Sequence, residues 1–399
     1  MEVIGAATAA RAGVPYGQPA FTFHEAEEKV KDRGVSPLGI IAKSVDREEL
    51  KKKRRARFAL LDAAATLLKG ERVAACQRRP AGSAVSIHRA ADGRASVQGL
   101  QQCGSVWHCP CCSPRISAGR RDELNALLKW ARQQRLMPLL LTLTGRHRRQ
   151  DTLARLIVGM KGAKQRLHQG RDWRAVSGQI AGHVTATELS YGRHGWHLHF
   201  HTLLLVSAVG EQQALSLFHG LRTAWEKALG KEGLDCNDHG FDIQGAARAG
   251  DYIAKWGAAE ELALSGEKKP RNGQKGRTIW ELLAIAGGKP DALLSQEEAS
   301  ALWADYARLF KGRRQLTWSR GLKAQAGLND KSDEELLAEA DQLELLTSGS
   351  TEIGRLTAAE WRAVLRANLR CALLEAVETE GRPGLLSIVR QALCKRGPS

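Results

Sequence analysis

The chain is poor in tyrosine and contains no long apolar run. Only four of its 399 residues are tyrosine, so a reaction that needs a phenol nucleophile has few candidates. No apolar stretch approaches the roughly 20 residues that a helix needs to cross a bilayer. The N-terminus also lacks the charged start and apolar core of a signal peptide. These absences argue against a membrane protein and predict a cytoplasmic protein with reduced thiols.

Two further absences concern motifs and acidic charge. No Gly-x-x-x-x-Gly-Lys-Ser/Thr phosphate loop is present, which argues against a fused ATP-driven helicase, and no internal repeat is visible. Acidic residues number 43 against 60 basic ones, giving a net charge of +17. Residues 326–399 reverse this balance, with nine basic and twelve acidic side chains. This distribution is typical of a polyanion-binding body with an appended module, although it also fits a merely soluble basic protein.

Three histidines alternate with apolar residues at His197, His199 and His201. In a strand, side chains two residues apart leave the same face, so three imidazoles would point one way. The upstream segment 183–190 also has a strand pattern, and the glycine-containing loop 191–195 predicts a hairpin. That hairpin would bring Glu188 beside the histidines. A carboxylate with two imidazoles suits Mg²⁺ or Mn²⁺ at a phosphate oxygen, whereas a plain polar strand face is the alternative.

Five of the eight cysteines lie within residues 72–115. Cys109 and Cys112 form a Cys-x-x-Cys pair, the spacing with which two thiolates hold one tetrahedral zinc ion. Cys103 is the natural third ligand. Cys76 is the preferred fourth if residues 77–102 form a β-hairpin, with His108 and Cys111 as substitutes.

Tyr252 is the preferred nucleophile among the four tyrosines. Tyr16 lies in a segment without periodicity, Tyr191 in the hairpin loop and Tyr306 in a later helix with a core pattern. On a helix, Lys255 would lie one turn from Tyr252, where an ammonium lowers the pKa of a phenol and can hold a phosphate. A Tyr-x-x-Lys pair alone is more typical of an ordinary amphipathic helix, and only the histidine site upstream favours Tyr252 as the nucleophile.

Strand and helix patterns alternate along the chain without a strict βαβα order. They predict an α+β fold with a central antiparallel sheet and helices on one side. Residues 138–144 form a short apolar run that is typical of a central strand. Capping boxes predict helices that begin after Ser295, Ser332 and Thr357.

Five motifs, in order, resemble the plasmid rolling-circle replication initiators, a branch of the HUH endonucleases. The resemblance runs from about residue 72 to residue 323. It rests on segments 103–110 (CGSVWHCP), 141–144 (LTLT), 195–201 (GWHLHFH), 252–255 (YIAK) and 311–319 (KGRRQLTWS).

The resemblance implies a fold and a domain order. The family's sheet is similar to the palm, or RNA-recognition, fold. We therefore expect a disordered segment at 1–50 and a basic helix with a zinc-binding region at 51–135. An HUH endonuclease domain would follow at 136–325, and a helical C-terminal module at 326–399.

The resemblance also implies a reaction at the double-strand origin of a bacterial plasmid. Tyr252 would nick one strand, keep the 5′ phosphate and release a 3′-OH primer for host DNA polymerase. His199 and His201 match the HUH pair, with Glu188 as third ligand and His197 as its rival. Some relatives carry a glutamate one helical turn before the tyrosine for the terminating cleavage, and Arg248 stands there in this chain.

DNA contacts are predicted for seven basic or aromatic side chains: Arg115, Arg120, Arg121, Trp196, Trp256, Arg313 and Arg314. The substrate would be single-stranded or hairpin DNA at the nick site, and a host helicase and a homodimer are further expected partners. For Arg115, Arg120 and Arg121 a solvated helix start is an equal alternative, and core packing is one for the tryptophans. Two other functions stay open: an HUH transposase or relaxase, and a non-catalytic zinc-containing DNA-binding regulator.

Overall fold

A computed structural model describes residues 47–207, 210–255 and 276–395, without the side chain of Lys255. The chain divides into two compact units, Met1–Leu50 and Lys51–Ser399, and the architecture below is that of the second. Trp256 and residues 1–46 of the segment predicted to be disordered (1–50) fall outside the described residues, whereas Arg47–Leu50 are helical.

The strands and helices have the following bounds. The strands are β1 (Ala84–Arg89), β2 (Ala95–Gln98), β3 (Met137–Thr144), β4 (Ile180–Gly192), β5 (Gly195–Val206), β6 (Phe241–Gln244), β7 (Arg277–Thr278), β8 (Leu316–Trp318) and β9 (Thr351–Thr357). The helices are α1 (Arg47–Leu67), α2 (Arg72–Ala75), α3 (Cys112–Gln133), α4 (Leu153–Gln169), α5 (Arg171–Ser177), α6 (Glu211–His219), α7 (Leu221–Lys231), α8 (Ala246–Lys255), α9 (Ile279–Ala286), α10 (Gln296–Phe310), α11 (Leu322–Gln325), α12 (Asp333–Thr347), α13 (Ala358–Arg366), α14 (Arg370–Glu380) and α15 (Arg382–Cys394).

The helix starts follow from local capping. The Ser295, Ser332 and Thr357 side chains each accept a hydrogen bond from the backbone N–H three residues on, and a glutamate there completes each box. A cap of this kind stabilises a helix by about 1 kcal/mol. These three predicted helix starts are therefore confirmed.

The larger sheet has six strands in the order β6-β3-β5-β4-β7, with β8 added alongside β4. Every neighbouring pair is antiparallel. β4 and β5 form the long predicted hairpin, whose pairing runs from Gly192↔Gly195 to Ile180↔Val206 with one irregularity between Ile180 and Gly182. The prediction of a mixed fold with antiparallel strands and helices is confirmed.

Helices cover both faces of this sheet, not one side as the element pattern predicts. Leu198, Phe200 and Leu204 of β5 belong to a large core that also contains residues of α4, α7, α9 and α10. Leu203 and Leu205 point the other way, into a core shared with α3, α8 and α11. The reason lies in the apolar runs of β3 and β5, which bury side chains on both faces. We call the face with the three histidines the front face and the other the back face.

A three-stranded sheet, ordered β2-β1-β9, forms a second centre of packing. It is covered by α13, α14 and α15 around the buried Trp361. The tail is thus not purely helical, because Thr351–Thr357 pairs with β1 across most of the chain length. The four-segment domain division stays a prediction.

Acidic side chains of the tail pair with basic side chains of the N-terminal part. Glu378 contacts Arg54, and Glu375 accepts from Arg55 at 2.6 Å. This pairing occupies part of the basic run in α1. In the described ranges, no helix is both long and apolar enough to cross a membrane.

Candidate active site and metal centre

Four cysteines meet in one buried cluster at Cys76, Cys103, Cys109 and Cys112. Their sulfur atoms all lie within 4.8 Å of one another, and three of the pairs are 3.5, 3.6 and 3.8 Å apart. Zn–S bonds of about 2.3 Å in a tetrahedron put sulfur atoms about 3.8 Å apart. These four side chains, the set predicted from the spacing, could therefore hold a metal such as zinc.

Local structure explains how the cluster closes. Cys76 caps the C-terminus of α2, and the β1–β2 hairpin returns the chain to Cys103, which is the condition under which Cys76 is the preferred fourth ligand. The turn at Cys109 leads into α3, whose first residue, Cys112, donates its backbone N–H to the Cys109 sulfur at 3.4 Å. Hydrogen bonds from Cys103, Cys109 and Cys76 lower the pKa of the Cys112 thiol, whereas burial raises the pKa of Cys109. The cluster therefore favours at least one thiolate. His108 and Cys111, the substitute ligands, are not members of the group.

The histidine hairpin holds its side chains through strand register. Glu188 of β4 lies opposite His199 of β5, and Thr142 and Thr144 of β3 lie opposite His201 and His199. The period-two pattern of the sequence puts all three imidazoles on the front face, where neighbouring rings are 4.0 and 5.5 Å apart between centroids. Three antiparallel strands thus form a rigid platform.

Tyr252 of α8 completes the group, from a helix packed on the front face. Its hydroxyl donates to Oε1 of Glu188 at 2.8 Å, and its ring centroid is 4.8 Å from that of His201. The other oxygen of Glu188, Oε2, is 3.2 Å from Nε2 of His201. One carboxylate therefore joins the candidate nucleophile to one of the candidate ligands.

The site holds the Glu188 carboxylate ionised and the imidazoles of His197 and His199 neutral. Burial favours a higher pKa for Glu188, but hydrogen bonds from His201 and Tyr252 outweigh it and lower the pKa. Burial, with the repulsion of neighbouring imidazoles, lowers the pKa of His199 to about 4 and that of His197 to about 3. Neutral imidazoles and an ionised carboxylate are the forms that ligate a metal.

Tyr252 itself is held protonated. Burial and then the charge of Glu188 raise the pKa of its phenol well above the usual range. This is opposite to the lowering expected from Lys255, whose backbone ends α8 but whose side chain lies outside the described residues. The phenol therefore keeps its proton in this state, and its hydroxyl donates to Glu188.

Three residues near the platform were not predicted from the sequence. Thr142 Oγ1 is 3.0 Å from Nδ1 of His201, and Thr144 Oγ1 is 3.3 Å from Nε2 of His197. His147 stacks on His197 with centroids 4.6 Å apart. The alternation of Leu141-Thr142-Leu143-Thr144 could have indicated the two threonines, since it puts both hydroxyls on one face. No local pattern marks His147, which lies in a loop.

The front-face ligands form a more open set than the cysteines. Of the residues that the structure describes, only the four cysteines provide three or more metal-ligand atoms within 4.8 Å of one another. His199, His201 and Glu188 share a face, but Glu188 is engaged by Tyr252 and His201. The donor set still fits a divalent cation, because the Thr142 contact fixes His201 at Nδ1 and directs Nε2 towards the carboxylate.

Trp196 does not offer a ring to DNA bases. Its side chain is 3% exposed and lies in the back-face core, 5.0 Å from the Tyr191 ring between centroids. The reason is strand alternation, which turns Trp196 away from the histidines. It therefore packs in the core, the alternative left open above.

Two of the predicted DNA-binding arginines carry acidic partners from α12. Arg115 contacts Asp341 at 2.5 Å, and Arg120 contacts Asp333 at 2.7 Å. Arg121 and Arg313 are half-buried, and Arg314 is exposed. The ion pairs dock α12 onto α3, so Arg115 and Arg120 have a structural role that their sequence context does not reveal.

Comparisons with known proteins point to replication. Residues 95–210 match the family model described as replication protein, a range that includes the histidine hairpin and three of the four clustered cysteines. A protein rep from Streptomyces lividans is 29% identical, over 76% of this chain and 80% of that protein. A neomycin resistance protein from Streptomyces cyanogenus is 32% identical over 157 residues, which are 32% of this chain and 36% of that protein. Residues 95–210 are thus similar to the replication-protein family, and most of the chain is similar to a protein rep.

Proposed function

We propose that the protein initiates plasmid replication by nicking one DNA strand at the double-strand origin. The observation that carries the proposal is the contact between the Tyr252 hydroxyl and Glu188, next to His201. It joins a nucleophile, a proton acceptor and candidate metal ligands on one rigid sheet. The similarity to replication proteins and the net charge of +17 support a DNA substrate.

Tyr252 would act by in-line attack on a phosphodiester. Its phenol oxygen forms a bond to phosphorus while the bond from phosphorus to the 3′ oxygen breaks. The phenol proton passes to Oε1 of Glu188, and the departing 3′ oxygen gains a proton from solvent. The products are a 5′-phosphotyrosine, which conserves the energy of the broken bond, and a free 3′-OH. Host DNA polymerase would extend that end, with a host helicase opening the duplex.

The ligand set proposed for this reaction is His199, His201 and Glu188, with His197 as rival third ligand. A Mg²⁺ or Mn²⁺ ion at this site would neutralise the phosphate and stabilise charge on the 3′ oxygen. Glu188 presents Oε2 to the histidines and Oε1 to Tyr252, so one side chain can serve both partners. His147 and Thr144 would keep the His197 ring in place beside them.

The terminating cleavage needs its own proton acceptor. Arg248 stands one helical turn before Tyr252, and Asp251 is the nearest acid in sequence; both are exposed. We therefore assign this step to Glu188, because it already contacts the hydroxyl that must be released.

Tyr252→Phe tests the nucleophile. We expect the variant to bind a labelled single-stranded origin oligonucleotide but to form no covalent adduct in Mn²⁺, measured on a denaturing gel. Tyr191→Phe is the matched control, because it removes a hydroxyl from the end of the hairpin and should leave the adduct intact. Persistence of the adduct in Tyr252→Phe would make another residue the nucleophile.

Two other functions predict different outcomes of the same assay. A non-catalytic regulator would bind origin DNA without nick or adduct at any metal concentration. A transposase or relaxase would transfer strands between recombination or transfer sites, often with paired tyrosines. The described part of α8 contains Tyr252 as its one tyrosine, which favours the initiator.

A further inference from the structure

A group of basic side chains lies on the back face of the sheet, away from Tyr252. Lys161, Lys164 and His168 follow one another at helical spacing on α4, so they share one side of that helix. The Lys164 ammonium is 4.9 Å from the centroid of the Phe200 ring in β5. The His168 ring is 5.4 Å from that of His183 in β4, between centroids. We call these four side chains the back-face basic row.

The back-face basic row has no acidic partner among the described residues. Neither lysine and neither histidine takes part in an ion pair there, whereas Arg166 on the same helix pairs with Glu232 at 2.5 Å. Instead, the charged groups that act on the two lysines are other cations. Burial and then Lys161 lower the pKa of Lys164, and burial and then Arg313 lower the pKa of Lys161. Uncompensated like charges beside an apolar surface cost stability, and a bound anion would remove that cost.

The dimensions of the row fit a nucleic-acid backbone. The seven steps from Lys161 to His168 span about 10 Å at 1.5 Å per helical residue, and His168, kept neutral by its low pKa, would contact a phosphate as a hydrogen-bond donor. One strand of duplex DNA carries one phosphate per about 3.4 Å of helix axis, so the row spans two or three phosphates. A small anion would need only one of these donors, which favours a polymer.

The aromatic rings of this face are unavailable for stacking. Phe200 is 2% exposed and Trp173, on which His168 stacks, is 6% exposed. Single-strand binding sites combine basic grooves with exposed aromatic rings on which bases stack. The back face offers positive charge but no exposed aromatic ring among these residues, so it can contact phosphates but not unpaired bases.

We propose that the back-face basic row, with Arg313, binds the phosphate backbone of duplex DNA that flanks the nick site. The proposal rests on the proposed function, since it divides the substrate between the two faces of one sheet. Unpaired DNA occupies the front face at Tyr252, and the paired flank occupies the back face. Contacts to phosphates alone position the DNA without reading its sequence.

The test is the double substitution Lys161→Met/Lys164→Met in the full chain. Methionine keeps an aliphatic chain over Phe200 while it removes the charge. Binding to a 20-base-pair duplex and to a short single-stranded oligonucleotide would be measured over a salt series by fluorescence anisotropy. We expect duplex affinity to fall about tenfold and the salt slope to decrease by about 1 to 2, near 0.9 per lost phosphate contact. Single-strand affinity and adduct formation on the short oligonucleotide should not change.

Lys129→Met/Lys227→Met is the matched control, because both lysines are exposed and the net charge changes equally. An equal loss in the control would overturn the proposal in favour of bulk charge. An equal loss on single-stranded DNA would also overturn it, as would inorganic phosphate raising the melting temperature more than duplex DNA does. If the wild-type chain forms no adduct but the double variant still loses duplex affinity, the back-face site stands and the proposed nicking function fails.

Discussion

The cysteine cluster and the front-face histidines are both sets of metal-ligating side chains, but they differ in burial and in partners. Four cysteine sulfurs lie within 4.8 Å of one another and are enclosed by protein. The histidines and Glu188 are only half-buried on the front face, and Glu188 contacts a tyrosine hydroxyl. Structural metal sites are closed by four protein ligands, whereas catalytic ones keep a position for water or substrate. The first set therefore fits a structural role, and the second is the set proposed for the reaction.

Removing the cysteine site should have the largest effect, and it should be on stability. Cys109→Ser/Cys112→Ser is expected to abolish zinc binding and to lower the free energy of unfolding by several kcal/mol. Structural zinc contributes about 10–16 kcal/mol in isolated zinc-finger peptides, and the surrounding core will compensate for part of its loss. Metal content by mass spectrometry and thermal unfolding would measure both. Cys394→Ser, at an exposed position, should change neither, and full zinc content in the double variant would refute the site.

Removing a histidine ligand should affect the reaction more than the fold. We expect His201→Ala and Glu188→Gln each to slow adduct formation about a thousandfold, since loss of metal assistance costs several kcal/mol of transition-state stabilisation. Unfolding midpoints should shift little. If Glu188 is the third ligand, His197→Ala should slow adduct formation less than tenfold. The opposite ranking would make His197 the ligand and leave Glu188 as a proton acceptor only.

Loss of the Thr142 hydroxyl, which orients His201, should have a smaller effect on the reaction. Thr142→Val keeps the shape of the side chain but removes the contact to Nδ1 at 3.0 Å. Loss of such an orienting partner lowers metal affinity or activity about 10- to 100-fold. Mn²⁺ titration of adduct formation would measure it, and we expect a higher metal requirement with little change at saturation. An unchanged titration would mean that the strands alone fix the ring.

We expect the smallest effect at His168 and His183, two histidines of the back face that take no part in the proposed reaction. Burial lowers their pKa values to about 3 and about 4, below the value of about 6.5 in an unfolded chain. The unfolded chain therefore binds more protons between those limits, so stability should fall as the pH drops from about 7 to about 4. His168→Gln should flatten that decline, measured as denaturant midpoints at pH 7 and pH 5. The exposed His239→Gln should leave the decline unchanged, and a decline equally steep in both variants would contradict the assignment.

Much of the candidate site could be predicted because it depends on short-range geometry. The alternation of His197, His199 and His201 requires only that the segment be a strand. The hairpin loop then fixes which residue of β4 meets each histidine. The Cys109–Cys112 spacing and the three capping boxes likewise depend only on residues that are close in sequence.

The strand that carries the histidines, the spacing of the thiols and the helix starts therefore follow from the sequence alone. Only the tertiary structure decided the partners that are far apart in sequence. It brought Tyr252 to Glu188 across 64 residues, and it placed β9 beside β1. It also gave Arg115 and Arg120 acidic partners on α12, where the sequence shows only basic residues near a zinc site. The physical reason is that local geometry follows from backbone periodicity, whereas distant pairing depends on which surfaces the whole chain buries together.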